Sequence, residues 1–161
     1  MNIAAQIIDL AVKKSVMITT AESCTGGMVA VALTDIPGAS AVIERGFVTY
    51  TNRAKIEMLG VCQTTLSAHG AVSEDVAAEM ARGALAHSAA QLAVSVTGIA
   101  GPGGSEFKPE GRVCFGIADG HAVSSETVEF GALGRAQVRA AARDHALNLL
   151  RDRLGHQLGH Q

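Results

Sequence analysis

The sequence predicts a single-domain α/β fold with a mixed, mostly parallel central sheet, and three observations carry that prediction. Two apolar runs of strand length, residues 16–20 and 92–97, each hand over to a glycine-rich loop rather than to a hairpin turn. Around them, apolar residues recur at the spacing of amphipathic helices. Two further β-branched runs, residues 112–118 and 122–128, flank Asp119-Gly120, a hairpin signal that adds antiparallel strands.

In chain order, Ile3, Ile7, Leu10 and Ala11 share one helical face and predict a helix over residues 3–14. The strand at 16–20 follows and runs into AESCTGG and an apolar helix over residues 28–33. Pro37-Gly38 marks a turn, residues 41–46 read as one short helical turn, and residues 46–50 as a strand. Asn52 is placed to cap a helix through Lys55, and residues 64–70 read as a helical turn ended by glycine, serving as a connector. Ser73-Glu-Asp opens a helix with Val76, Ala77, Met80 and Ala84 on its buried face, ending near Ser88. The strand at 92–97 leads into a long glycine-rich loop reaching Gly111, and such loops usually bind something. After the hairpin, a last helix starts beyond Gly134, with Arg135, Arg139 and Arg143 spaced by four as a stripe. His156 and His160 in the tail have helical spacing, but the flanking glycines favour a frayed end over a metal site.

With 161 residues, 48% of them hydrophobic, the chain has material for one core and not comfortably for two. A net charge of -2 without a basic run excludes a general nucleic-acid binder. Cys24, Cys62 and Cys114 are odd in number and lack metal-ligand spacing, which fits a reducing compartment. The N-terminus lacks the charge order of a signal peptide, and no apolar run is long enough to span a bilayer. A cytoplasmic protein with no membrane partner is the expectation.

Two stretches carry candidate chemistry. In residues 19–27, TTAESCTGG, small polar residues and two glycines sit where a strand meets a helix, the geometry of an anion cradle. Ser23, Thr25, Gly26 and Gly27 would line it, unless they serve only as a cap and tight packing. Residues 38–55 set Ser40, Tyr50 and Lys55 at turn and strand boundaries, the parts of a base-activated nucleophile. A lysine takes a proton only if burial or neighbouring cations keep it neutral, and Arg45 and Arg53 are near in sequence. An N-cap serine, a strand tyrosine and a solvated lysine are the structural alternative. Cys24, at a helix N-terminus, is a rival nucleophile. The loops at 21–27 and 97–111 both leave strand ends and are expected to converge at one sheet edge, with Thr97 and Gly98 in the site.

Four motifs together resemble one family: TTAESCTGG (19–27), PGASAVIERGFVTYTNRAK (37–55), GAVSE (70–74) and TGIAGPGGSEFKPEG (97–111). The chain is similar to the C-terminal domain of the competence-damage-inducible protein CinA, whose stand-alone forms are nicotinamide-nucleotide amidases of the PncC type. The resemblance implies a three-layer α/β/α sandwich that deamidates nicotinamide mononucleotide to the nicotinate mononucleotide and ammonia, in pyridine nucleotide recycling. It implies a Ser/Tyr/Lys mechanism with no metal and no cofactor: Ser40 as nucleophile, Lys55 as general base, Tyr50 as relay, and an oxyanion held by backbone N–H groups at the Ser40 turn. Ser23, Thr25, Gly26, Gly27, Thr97, Gly98 and Gly101 would line the mononucleotide pocket, with Arg135 or Arg139 near the phosphate. It implies a homodimer or higher homo-oligomer, and that any activity of the N-terminal domain found in longer relatives is absent from these residues. Ala39 stands where the family often has a second serine. The alternatives are a non-catalytic nucleotide-binding or competence-related module, a Cys24-dependent amidase and a histidine-based metal hydrolase.

Overall fold

Three strands ending in register set the geometry of this molecule, whose computed structural model describes residues 1–156. The strands are β1 (Ile18–Glu22), β2 (Ile43–Val48), β3 (Leu92–Gly98), β4 (Arg112–Asp119) and β5 (Val123–Glu129). They form one sheet in the order β2-β1-β3-β4-β5. β1 pairs parallel with β2 and with β3, so Glu22 lies beside both Val48 and Val96. β4 and β5 add the expected antiparallel edge. β1 and β3 are covered on both faces, so they are buried along nearly their whole length without the polar alternation of a half-exposed strand.

Helices α1 (Ile3–Lys14), α2 (Met28–Thr34) and α6 (Arg135–His156) pack together on one face of the sheet. Ile7, Ile18, Leu33, Val94, Phe115 and Leu150 fill that interior. Helices α3 (Asn52–Leu59), α4 (Gln63–His69) and α5 (Glu74–Ala86) cover the other face, over Ala21, Leu59, Val76, Met80 and Ala93. This is the three-layer α/β/α arrangement. Among the described residues, no helix is long and apolar enough to cross a membrane.

Several local expectations are corrected. Residues 41–46 are not a helical turn: a 3-10 turn covers only Ala39–Ala41, and the chain then enters β2. The segment is too short for propensity to decide, and the open edge of β1 claims its β-branched residues. β1 starts two residues later than expected, because Val16 is still tied back to Ala11 and Met17 to the Gln91 side chain. The helical turn expected at 64–70 is a helix over Gln63–His69 closed by Gly70, more than the connector it was expected to be. Thr51, not Asn52, caps α3, its hydroxyl accepting from the Ala54 N–H at 3.0 Å. α6 runs through Gly155 to His156, into the segment expected to fray, and His160 lies outside the described residues.

Gly83 shows how close α5 comes to the end of α3. A Cβ there would overlap the Leu59 carbonyl, backbone that has no room to yield. Gly83→Ala is therefore expected to lower stability by about 2 kcal/mol in urea unfolding, against the gain its helix propensity alone would bring.

Candidate active site

The parallel strands β2, β1 and β3 deliver three loops to one edge, and a cleft of about 320 Å³ opens between them. Its volume is in the range of small-ligand sites. Ser23 and Cys24 follow β1, Tyr50, Asn52 and Lys55 follow β2, and Thr97, Gly98 and residues 99–106 end or follow β3; Arg135 closes one side. The expected convergence of the 21–27 and 97–111 loops is thus observed, and Ser23 N–H donates to Val96 O at 2.9 Å across the two. Gly98 permits this closeness, since a Cβ there would meet Val113 and approach the Cys24 sulfur to 3.1 Å.

Lys55 brings a buried amine to the cleft. Helical Cβ atoms tilt toward the N-terminus, so a lysine in the first turns of α3 reaches back to the sheet edge. Its side chain is 1% exposed, and Nζ lies 3.0 Å from Ser23 Oγ, 2.9 Å from Thr49 O and 3.2 Å from Tyr50 O. Burial lowers its pKa from the usual 10.5, partly offset by the neighbouring Cys24 and Glu106 side chains. A neutral amine has two N–H donors and one lone pair. As an ammonium the side chain donates to all three oxygens; on losing a proton it can keep its two N–H donors on the carbonyls and turn its lone pair to the Ser23 hydroxyl.

The structure does not bring Ser40 to Lys55. Ser40 is exposed on the 3-10 turn before β2, while Lys55 follows its far end, with roughly 15 Å or more of strand between. The serine within hydrogen-bond reach of Lys55 is Ser23. Sequence reasoning placed Ser23 in the pocket but missed this contact, although its position at the very end of a buried strand was a signal for it. Tyr50 meets Lys55 through its backbone carbonyl; its hydroxyl accepts from Arg135 Nη2 at 2.8 Å. Arg45 and Arg53 do not act on Lys55 either, being held by Glu44 with the His87 carbonyl and by Glu57.

The anion cradle is real but occupied by the protein itself. Glu22, 1% exposed, accepts from Thr25 Oγ1 at 2.6 Å, Gly27 N at 3.3 Å and Val29 N at 2.9 Å through Oε1, and from Ala30 N at 3.0 Å through Oε2. A carboxylate at the N-terminus of α2 satisfies its orphan donors and its dipole. Thr25 is spent on Glu22, and Gly26 and Gly27 line a different hollow, beside Arg143 and Asp144. Arg139 grips the same turn from α6, donating from Nε to Cys24 O at 2.9 Å and from Nη2 to Thr25 O at 3.4 Å. These four residues build the turn that presents Ser23 rather than lining the cleft. Glu22→Ala would leave buried donors unpaired, and is expected to lower the unfolding free energy by about 3 kcal/mol, read from the urea midpoint.

Arg135 keeps its place at the cleft, donating Nη1 to Gly101 O at 2.6 Å and Nη2 to Tyr50 OH. Both acceptors are neutral, so its charge remains available to an anion. Thr97 also lines the cleft, its hydroxyl donating to Ala71 O at 2.8 Å. Cys24 is buried, and burial pushes its thiol up to about 12, opposite to the depressed pKa a thiolate nucleophile needs. Among the described residues no group of His, Cys, Asp and Glu has the arrangement of a metal site.

The CinA C-terminal domain family model matches residues 1–154. The nicotinamide-nucleotide amidohydrolase PncC of Escherichia coli is 49% identical over 151 residues, covering 93% of this chain and 92% of that protein. A CinA-like protein of Chloroherpeton thalassium is 48% identical over 96% of this chain, which spans only 38% of that longer relative. The crystal structure of the competence/damage inducible protein CihA from Agrobacterium tumefaciens has a TM-score of 0.91 at 48% identity, covering 96% of this chain and 94% of its own. The chain belongs to the CinA C-terminal domain family.

Proposed function

We propose that this domain hydrolyses the carboxamide of nicotinamide mononucleotide, giving nicotinate mononucleotide and ammonia, with Ser23 as nucleophile and Lys55 as general base. The observation that carries the reading is the buried Lys55 amine 3.0 Å from the Ser23 hydroxyl at the mouth of a cleft of nucleotide-compatible size. The similarity to PncC, over nearly the whole of both chains, supplies the substrate.

In the first step Lys55 accepts the Ser23 proton as Oγ attacks the carboxamide carbon. Collapse of the tetrahedral intermediate expels the amide nitrogen, which takes that proton and leaves as ammonia. Water then attacks the nicotinoyl ester, Lys55 again holding its proton until Ser23 Oγ leaves and recovers it. The oxyanion falls to backbone N–H groups at the Ser23 turn rather than the Ser40 turn, with Cys24 N–H the nearest in sequence. Arg135 holds the phosphate, a role its uncompensated guanidinium supports better than the backbone-bound Arg139. Tyr50, hydrogen-bonded to Arg135, orients that cation instead of relaying protons. Three free cysteines suit a reducing cytoplasm, where a by-product of dinucleotide consumption would be returned to synthesis.

Ammonia release from nicotinamide mononucleotide by the wild type and by Cys24→Ala tests the proposal. Both are expected to be active. Binding without release would leave a nucleotide-binding module, and loss of release with Cys24→Ala would move the nucleophile to the thiol.

A further inference from the structure

One charged side chain of the cleft is unused by the reaction as described. Glu106 sits in the loop after β3, in a two-residue left-handed turn with φ of 53° at Glu106 and 63° at Phe107, closed by the Ser105–Lys108 pair. Non-glycine residues hold such angles at a cost. The turn sends the Glu106 carboxylate against Gly70, at the cleft wall that Ala71 and Val72 continue.

Among the described residues this carboxylate makes no hydrogen bond and no ion pair. Lys108, beside it at Gly70, gives its ammonium to His69 O at 2.7 Å and Val72 O at 2.5 Å. Glu110, in the same loop, is spent on Gly103 N at 2.7 Å and Gly134 N at 3.1 Å. Glu106 therefore presents to the cleft a carboxylate with no hydrogen-bond or ion-pair partner, its neighbour Lys108 being turned to the His69 and Val72 carbonyls, and it is near enough to be felt at Lys55. Arg135 presents an uncompensated positive charge.

The proposed substrate has matching polarity. Its phosphate is anionic, while its ring nitrogen, separated by one ring carbon from the carbon bearing the carboxamide, is a permanent cation. Resting on the amidase reading, we infer that Glu106 recognises the charge of the ring, so that the site selects cationic N-alkylpyridinium carboxamides over neutral amides of the same shape. The pairing positions the ring with its carboxamide toward Ser23. It also gives free nicotinamide, uncharged and without phosphate, neither anchor.

The test uses nicotinamide mononucleotide and its reduced dihydropyridine form, which keeps the phosphate and shape and loses the ring charge. Affinities are measured by calorimetry in a Ser23→Ala background, so that no turnover intervenes. The oxidised form is expected to bind about tenfold more tightly than the reduced one. Adding Glu106→Gln is expected to bring that ratio close to one, and adding Glu106→Asp to keep most of it. An unchanged ratio with Glu106→Gln overturns the inference, as does a ratio lost equally with Glu106→Asp, since charge would not then be the cause. Ammonia release by the wild type separates the two layers. If release occurs and the ratio is unchanged, the inference falls alone; if there is no release and neither form binds, the amidase reading falls with it.

Discussion

Ser23→Ala is expected to abolish ammonia release from nicotinamide mononucleotide, by a factor on the order of 10⁴ or more, while Ser40→Ala stays within about twofold of wild type. The contrast follows from distance rather than residue type. Ser23 Oγ lies 3.0 Å from a buried amine, and Ser40 is exposed at the opposite end of β2. Because Ser23 N–H is tied to Val96 O and the turn behind it to Glu22 and Arg139, alanine should leave the backbone in place. Affinity for the substrate should therefore survive and kcat carry the loss. Mass spectrometry of a rapidly quenched wild-type reaction should find a nicotinoyl mononucleotide adduct on the peptide containing Ser23. An adduct on the peptide containing Ser40, or activity retained without the Ser23 hydroxyl, would reverse the assignment.

The second large effect belongs to Lys55. Lys55→Met is expected to cost about 10³-fold or more in kcat/KM and to remove the acid limb of the pH profile. In the wild type the base must be unprotonated, so the rate rises with pH and levels off above the Lys55 pKa. Burial lowers that pKa below 10.5, so the plateau begins at a lower pH than a solvated lysine would allow. Stability responds with a definite sign. Between the lowered folded pKa and the unfolded value near 10.5, the unfolded chain binds the proton and the folded chain does not, so wild-type stability rises with pH. The slope approaches about 1.4 kcal/mol per pH unit at most. Lys55→Met lacks this term, so the difference between wild type and variant in urea unfolding should grow with pH through that window and flatten outside it. A parallel pair of stability curves would mean that Lys55 keeps its ordinary pKa.

The cleft links the two effects. Burial lowers the lysine's pKa, and in the proposed mechanism the Thr49 and Tyr50 carbonyls hold its two N–H donors so that the lone pair of the neutral amine faces Ser23. A lysine with those partners but open to water would remain an ammonium, donating to Ser23 instead of accepting from it.

Local sequence determined the layers and the loops. Apolar runs at 16–20 and 92–97 and the Asp119-Gly120 turn specified a mixed sheet, because strand burial and hairpin chemistry are written within a few neighbouring residues. The same holds for the site's location, since two loops that leave parallel strands must emerge at one edge. Lys55 was legible too, as a lysine just inside a helix. What only tertiary structure decided is which hydroxyl it faces and which cradle is empty. Ser40 is nearer to Lys55 along the chain, but a strand holds the ends of the intervening segment apart, while β1–β2 pairing brings Ser23 across. The glycine-rich turn after β1 has an anion site's donors, yet the Glu22 carboxylate already fills it. Pairing register and occupancy are properties of the assembled fold, and no spacing within one segment encodes them.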